Sequence, residues 1–429
     1  MSSTTFSALE VPNYRTYAIG ALVSNVGTWL QNTAQTWLVL QLTDSGSAVG
    51  FAIALQLLPS LLFSPIAGVL ADRFDKRTLM SWLQVAMAVP SGVLGVLAVV
   101  GEVQLWQVYV LAFCFGTARA FEAPARQSFV GDMVGPDQLS NAVALNSASF
   151  NSGRLVGPAL AGLMIAALGS GVEATGYVIA GNAVSYGFVL LALRRLDPTL
   201  LHESSGGRRG RGAVAEGVRY VRGRPDLLLL LGTVFFLGAF GMNFQITTAL
   251  MATDVFGRGA GEFGLLGSFV AIGSLTGSLL AARRPRPRLR FVVGAGLAFC
   301  VVQVVSGLVP TYLTYAIVMP FIGLTVLTTV TTANALIQLT SAPVMRGRVA
   351  ALYLMVFLGS TPAGAPFIGW VAEIYGPRVA LVVSGVLAGT GIAACAAWFL
   401  RHDSRPLARL RERRRRGTVT RAAAPPVEH

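Results

Sequence analysis

Apolar runs long enough to be membrane-spanning helices recur along nearly the whole chain, and no other feature constrains its fold as tightly. As a helix, a run of about 18 residues or more crosses a hydrocarbon core of roughly 30 Å. Twelve runs qualify, near 16–40, 47–71, 78–100, 104–125, 139–168, 174–194, 226–250, 262–282, 291–309, 311–338, 348–371 and 379–400. The alternation of a β-barrel is absent, and in lipid only helices and closed barrels satisfy every backbone N–H and C=O. The expected fold class is all-α integral membrane, with twelve transmembrane helices. The first run is too long for a signal peptide and lacks a small-residue cleavage site.

Charge sorts to the turns. A net charge of +14 would suit a nucleic-acid surface if it formed one patch. Instead, nearly all of the 33 Lys and Arg residues fall in the amino-terminal segment, in turns after even-numbered spans, and in the carboxy-terminal tail. Arg258 and Arg378 lie on the opposite side with Asp44, Glu102, Glu173, Asp254, Glu262 and Glu373. The positive-inside rule then puts both termini in the cytoplasm of a multi-pass protein of the cell (inner or plasma) membrane. No nucleic-acid partner is expected. Cys114, Cys300 and Cys395 sit in separate spans, which argues against a disulfide framework or metal cluster and for apolar packing. Neither cofactor nor metal is expected, and no phosphate loop or nucleophile–base pattern marks an enzyme.

The longest polar break, 195–225, divides the spans into two sets of six. The expected organisation is an N-terminal six-helix bundle (1–194), a cytoplasmic linker (195–225), a C-terminal six-helix bundle (226–400) and a basic cytoplasmic tail (401–429). In the linker, Val214, Val218 and Val221 share one helical face, so the segment is either a short interfacial helix or a solvated connection. The tail Arg405–Arg421 either contacts anionic lipid or is disordered. A weak repeat links the halves: Leu155–Gly162 resembles Pro362–Gly369, and Asn141–Leu145 resembles Arg348–Leu352. Equivalent spans suit a pseudo-symmetric pair of bundles rocking about a central cavity.

Between the second and third runs lies Gly68–Arg77, reading Gly-Val-Leu-Ala-Asp-Arg-Phe-Asp-Lys-Arg, with five of its last six residues charged. With the 6+6 arrangement and long middle loop, this turn resembles the major facilitator superfamily, whose motif here runs Gly-x-Leu-Ala-Asp-Arg-x-Gly-Arg-Lys. Gly68, Leu70, Ala71, Asp72 and Arg73 match, Lys76 and Arg77 are exchanged in type, and Asp75 replaces the second glycine. The resemblance implies a cytoplasmic latch made by Gly68, Asp72, Arg73 and Arg77 with the start of span 11, where Arg346 and Arg348 stand ready to pair with Asp72. The plainer reading is an anchor for topology.

Span 5 resembles the family's exporter and antiporter pattern at Gly153, Gly157, Pro158 and Gly162, with Ala161 in place of a glycine. That pattern allows close helix contact and a bend. The stretches 124–130, 139–147 and 154–158, with Arg346–Val349, resemble the enterobactin-exporter-like and macrolide-efflux-like branch. The arginine that the family places in span 4 is Ala112 here.

Charge inside the spans is confined to Arg119, Glu122, Arg126 and Arg154, each a functional candidate because intramembrane charge is costly. Glu122 shares one helical side with Arg119 and Arg126, and the plainer reading of the three is an ion-paired end of span 4. Arg154 either pairs with Glu122 across the helix interface or faces the cavity and attracts an anionic substrate. Coupling carriers reduce to Glu122, with Arg154 as its partner, and Asp72. The superfamily lines its cavity with spans 1, 4, 7 and 10, so the substrate-binding candidates are Asn25, Trp29, Asn32, Phe240 and Asn243. Hydrogen bonding between helices explains the amides equally well.

The expected function is secondary active export of small amphipathic compounds (a drug, siderophore or natural product) by alternating access, with proton as the coupling ion and membrane lipid as surroundings. A monomer is the family expectation. The rivals are a facilitator, importer or lipid flippase of the same fold, and a non-transporting membrane sensor.

Overall fold

The computed structural model describes residues 4–202, 213–283 and 287–402; within these the side chains of 4–5, 64–65, 68–69, 71–72 and 213–214 are not described. Residues 203–212 of the polar linker and the tail from 403 on therefore lie outside the described residues. Among those described, the regular structure is helical. The long helices are α1 (Pro12–Thr43), α2 (Gly46–Arg73), α3 (Lys76–Val99), α4 (Leu105–Ala167) and α5 (Val172–Arg195). A short α6 (Ala213–Arg222) precedes α7 (Pro225–Val255), α8 (Ala260–Ala282), α9 (Leu289–Leu308), α10 (Tyr312–Thr340), α11 (Arg346–Tyr375) and α12 (Pro377–His402).

Sequence chemistry sets the breaks. Ser45 caps α2 by accepting from the Ala48 N–H at 3.1 Å, and Thr311 caps α10 through Thr314. Gly135 takes a left-handed φ of 69° just before Pro136, which splits α4 into parts 105–134 and 136–167. Asp75, the departure from the family turn, is the N-cap of α3 and accepts from the Thr78 N–H at 2.8 Å.

Nine segments among the described residues are long and apolar enough to cross a membrane, which makes this a multi-pass membrane protein. They are drawn from α2, α3, α5 and all the long helices from α7 on. Helices α1 and α4 fall short because they carry the buried amides, hydroxyls and charges, among them Asn25, Gln31, Gln35 and Glu122. Polar content is thus concentrated in the helices that enclose the site described below.

In the first half, α1 packs on α4 and α5, α3 on α5 and α4, and α2 on α4. In the second half, α8 packs on α10, α9 on α12 and α10, and α7 on α12. Two seams join the halves, α2 with α11 and α4 with α8. Both are built on small residues. A Cβ on Gly50 would sit 2.5 Å from the Ala365 carbonyl, and one on Gly46 would sit 2.8 Å from that of Gly369. Across the other seam, Gly162 faces the Ala260 carbonyl and Gly264 faces that of Pro158. The two segments that rhyme in sequence, 155–162 and 362–369, therefore occupy the two seams. Glu373 adds a polar clasp to the first, accepting from the Ser45 hydroxyl at 2.6 Å and the Ser47 N–H at 3.1 Å. A carboxylate at the start of α2 also complements the helix dipole.

The Asp75 cap gives a testable expectation. Hydrogen bonds from Thr78 hold its carboxyl below the usual carboxylate range. A lowered folded pKa means a contribution present above the unfolded value of about 3.9 and lost as pH falls through the folded one. Asp75→Ala should cost about 1 kcal/mol at neutral pH, Asp75→Asn a few tenths, and the alanine penalty should shrink below pH ~4. Thermal unfolding in detergent across pH measures this; an alanine variant as stable as the parent at pH 7 contradicts the cap.

Candidate functional site

Helix α1 can come close to the second part of α4 because glycines stand at the contact. A Cβ at Gly153 would lie 2.7 Å from the Asn25 carbonyl, and one at Gly157 would lie 2.6 Å from the Trp29 Cβ. This approach brings Arg154, between those glycines, over Trp29, its guanidinium carbon 5.7 Å from the ring centroid. Phe150 meets the same indole edge-on, with centroids 5.5 Å apart. Gly153 and Gly157 thus serve α1, whereas Pro158 and Gly162 serve the seam with α8.

Two pockets share Trp29. The first lies within the first half, between α1, α3, α4 and α5. Its charged lining is Arg119, Glu122 and Arg126, with Tyr17, Asn25, Gln84 and Tyr186 beside them. Glu122 pairs with Arg126 one turn on, Oε1 to Nε at 3.3 Å. Arg126 also donates to the side-chain amide oxygen of Asn25 at 3.2 Å, and the Asn25 amide N–H in turn donates to the Ser149 hydroxyl at 2.8 Å. The chain Glu122–Arg126–Asn25–Ser149 therefore ties both parts of α4 to α1. Below it, a buried amide network fixes α1 to α5: Asn182 donates to Gln31 at 2.5 Å and to Tyr186 at 3.1 Å.

The second pocket lies between the halves. Trp29, Phe244 and Phe263 supply aromatic walls, Pro158, Gly267 and Val270 a narrow apolar edge, and Thr33, Gln245 and Thr248 polar groups. Its ionisable lining residue is Arg154. Such a lining can take a solute with an aromatic or aliphatic body and a polar head.

The residues singled out from sequence divide by what they touch. Asn25 and Trp29 line the pockets. Asn32 instead accepts from Gln56 of α2 at 3.2 Å. Phe240 stacks on Phe236 and meets Phe367 edge-on. Asn243 sits in a break of α7 and donates back to the Ala239 carbonyl at 2.7 Å, so its amide serves the backbone. Arg154 is not paired with Glu122: Arg126, on the same helix face, holds that carboxylate, and Arg154 rests on Trp29. Arg154 is among the residues lining the second pocket.

The turn residues bind their own half. Lys76 pairs with Asp132 at 2.7 Å, and Arg77 donates to the carbonyls of Leu193 and Arg194 at 2.8 and 3.0 Å. Arg73 is exposed. The Asp72 side chain and Gly68 lie outside the described side chains. Arg348 finds its carboxylate in Glu216 of α6 at 2.8 Å, and Arg346 points its Nε at the Ser341 carbonyl at 3.4 Å. Val221 of α6 is buried against Met345, Val349 and Tyr353, so this apolar position meets protein and not lipid. Sequence reasoning missed Glu216, Asp132, Phe244 and Phe263; no local pattern announces a contact between distant helices.

Comparison with known proteins matches residues 3–413 to a family described as transmembrane secretion effector, of major facilitator superfamily type. An uncharacterised MFS-type transporter of Bacillus subtilis, YfiS, is 28% identical over 48% of this chain and 48% of its own. Macrolide efflux protein A of Streptococcus pyogenes is 24% identical over 86% of this chain and 91% of its own. The multidrug efflux pump Tap of Mycolicibacterium fortuitum is 27% identical over 83% and 88%. The fold is similar to a crystal structure of a bacterial homologue of the human lysosomal transporter Spinster, with a TM-score of 0.71 at 14% identity, covering 94% of this chain and 99% of that one.

The Glu122–Arg126 pair yields a prediction. Removing one partner of a largely buried ion pair costs about 3–5 kcal/mol, whereas removing both costs far less. Arg126→Gln should therefore destabilise the protein strongly in detergent melts, and adding Glu122→Gln should restore most of the loss. A double variant whose loss equals the sum of the singles would show that the pair is not coupled.

Proposed function

The chain belongs to the transmembrane secretion effector family of the major facilitator superfamily, and on that premise we propose that it exports small amphipathic compounds by alternating access, coupled to proton antiport. One observation carries the reading: an aromatic pocket with a single cationic head-group partner lies between the halves, where rocking about the two small-residue seams would open it to one side and then the other. The efflux proteins among the relatives support export as the direction.

In this proposal the two helices of α4 count separately, giving twelve transmembrane helices in two six-helix bundles. The basic turns face the cytoplasm with both termini, in the cell membrane. The seam end of α2 and α11, around Ser45 and Glu373, then faces outward and is closed in this conformation. The solute enters between the halves from the cytoplasm and meets Trp29 and Arg154, with Asn25 in the adjoining pocket.

Glu122 is the proposed proton carrier. It is the acid on the pocket lining, and its protonation removes the anion that holds Arg126. Losing that hold frees the link from α4 through Asn25 to Ser149, which couples protonation to helix position. Asp72 is assigned to the cytoplasmic latch near Arg346 and Arg348, with Glu216 already engaged to Arg348. In proteoliposomes carrying a pH gradient, Glu122→Gln should abolish gradient-driven accumulation while equilibrium exchange of the solute persists. Undiminished gradient-driven export by that variant would remove Glu122 from the coupling role.

A further inference from the structure

The charges around the two adjoining pockets are out of balance. Together their linings carry three guanidinium groups, Arg119 and Arg126 on the first and Arg154 on the second, and one carboxylate, Glu122, on the first. Glu122 is taken by Arg126. Arg119 and Arg154 form no ion pair among the described residues, and Arg154 has only the face of Trp29. A cation–π contact contributes up to about 2 kcal/mol, while withdrawing an ion from water costs several. Trp29 alone does not offset the partial burial of Arg154.

The polar groups near Arg154 lean the same way. The Trp29 indole N–H is buried without a hydrogen-bond acceptor. Among the described residues no carboxylate lines this pocket to receive a cationic solute. The donors open to a solute are the Arg154 guanidinium and the Trp29 indole N–H, with Phe244 and Phe263 opposite to receive an aromatic or aliphatic body.

We propose that the solute this protein carries is an amphipathic organic anion, its carboxylate or phenolate held by Arg154 against Trp29, with Arg119 in the adjoining pocket a second cation favouring negative charge. The inference rests on the exporter reading of the same site and specifies the charge of its cargo. Guanidinium suits this role because its planar fork presents parallel N–H groups to a carboxylate. A positively charged solute would meet uncompensated arginines and be rejected.

The test uses three probes of one shape, 1-naphthoate, 1-naphthamide and 1-naphthylmethylammonium, titrated into the purified full chain in detergent by calorimetry. The carboxylate should bind about ten-fold or more tightly than the amide, a difference of about 1.4 kcal/mol, and the ammonium more weakly than either. Arg154→Gln should erase the carboxylate preference, Arg154→Lys should keep part of it, and Trp29→Phe should weaken all three probes while leaving their order. Equal or tighter binding of the amide or ammonium by the parent overturns the proposal, as does an Arg154→Gln variant that folds and keeps the preference. Export from cells of neutral or cationic compounds alone would leave the exporter reading standing and sink the anion. A parent that binds none of the probes and exports no compound of any charge would overturn both.

Discussion

Close backbone contact between helices is the constraint on which the rest of this structure depends. Between spans there is no water to expel, so association rests on van der Waals contact and hydrogen bonds, and both require short distances. Glycine supplies them at three places. Gly153 and Gly157 let α4 meet α1, Gly46 and Gly50 let α2 meet α11, and Gly162 with Gly264 joins α4 to α8. The first contact builds the site and the other two hold the halves together. A single stretch of α4, 153–162, takes part in both tasks.

Polar chemistry is spent where this packing leaves room for it. Buried amides tie α1 to α5 through Gln31 and Asn182, and α1 to α4 through Asn25. The threonines of α10 mostly bond to their own backbone, as Thr329 and Thr332 do, and offer little to a solute. Basic residues of the turns fasten helix ends within one half, as Lys76 and Arg77 do, while Arg348 fastens the linker helix to α11.

Much of this was legible in the sequence, and the reason is physical. Lipid forces each apolar run into a helix, so the helical fold followed from run length and hydropathy. The rhyme between 155–162 and 362–369 pointed to equivalent positions, which are the two seams. The rarity of intramembrane charge picked out Arg119, Glu122, Arg126 and Arg154, and all four line the pockets. Pairing was harder to read. The four-residue spacing already offered Arg126 as the partner of Glu122, and the two are paired; where Arg154 lies depends on how the chain turns at Gly135, which spacing does not encode. Asn32, Phe240 and Asn243 have the chemistry of lining residues, and their contacts here, a bond to Gln56, a ring stack and a bond to the Ala239 carbonyl, are ones that spacing does not announce.

The central claim is that transport requires the α2–α11 seam to part. Ser47 and Glu373 bracket it, with the Ser47 N–H 3.1 Å from the Glu373 carboxylate. The most direct measurement places cysteines at these two positions in a chain whose Cys114, Cys300 and Cys395 are replaced by serine, and follows export in vesicles before and after oxidation. The account predicts that the disulfide stops export and that reduction restores it. Export that continues at the parent rate with the crosslink complete would contradict it.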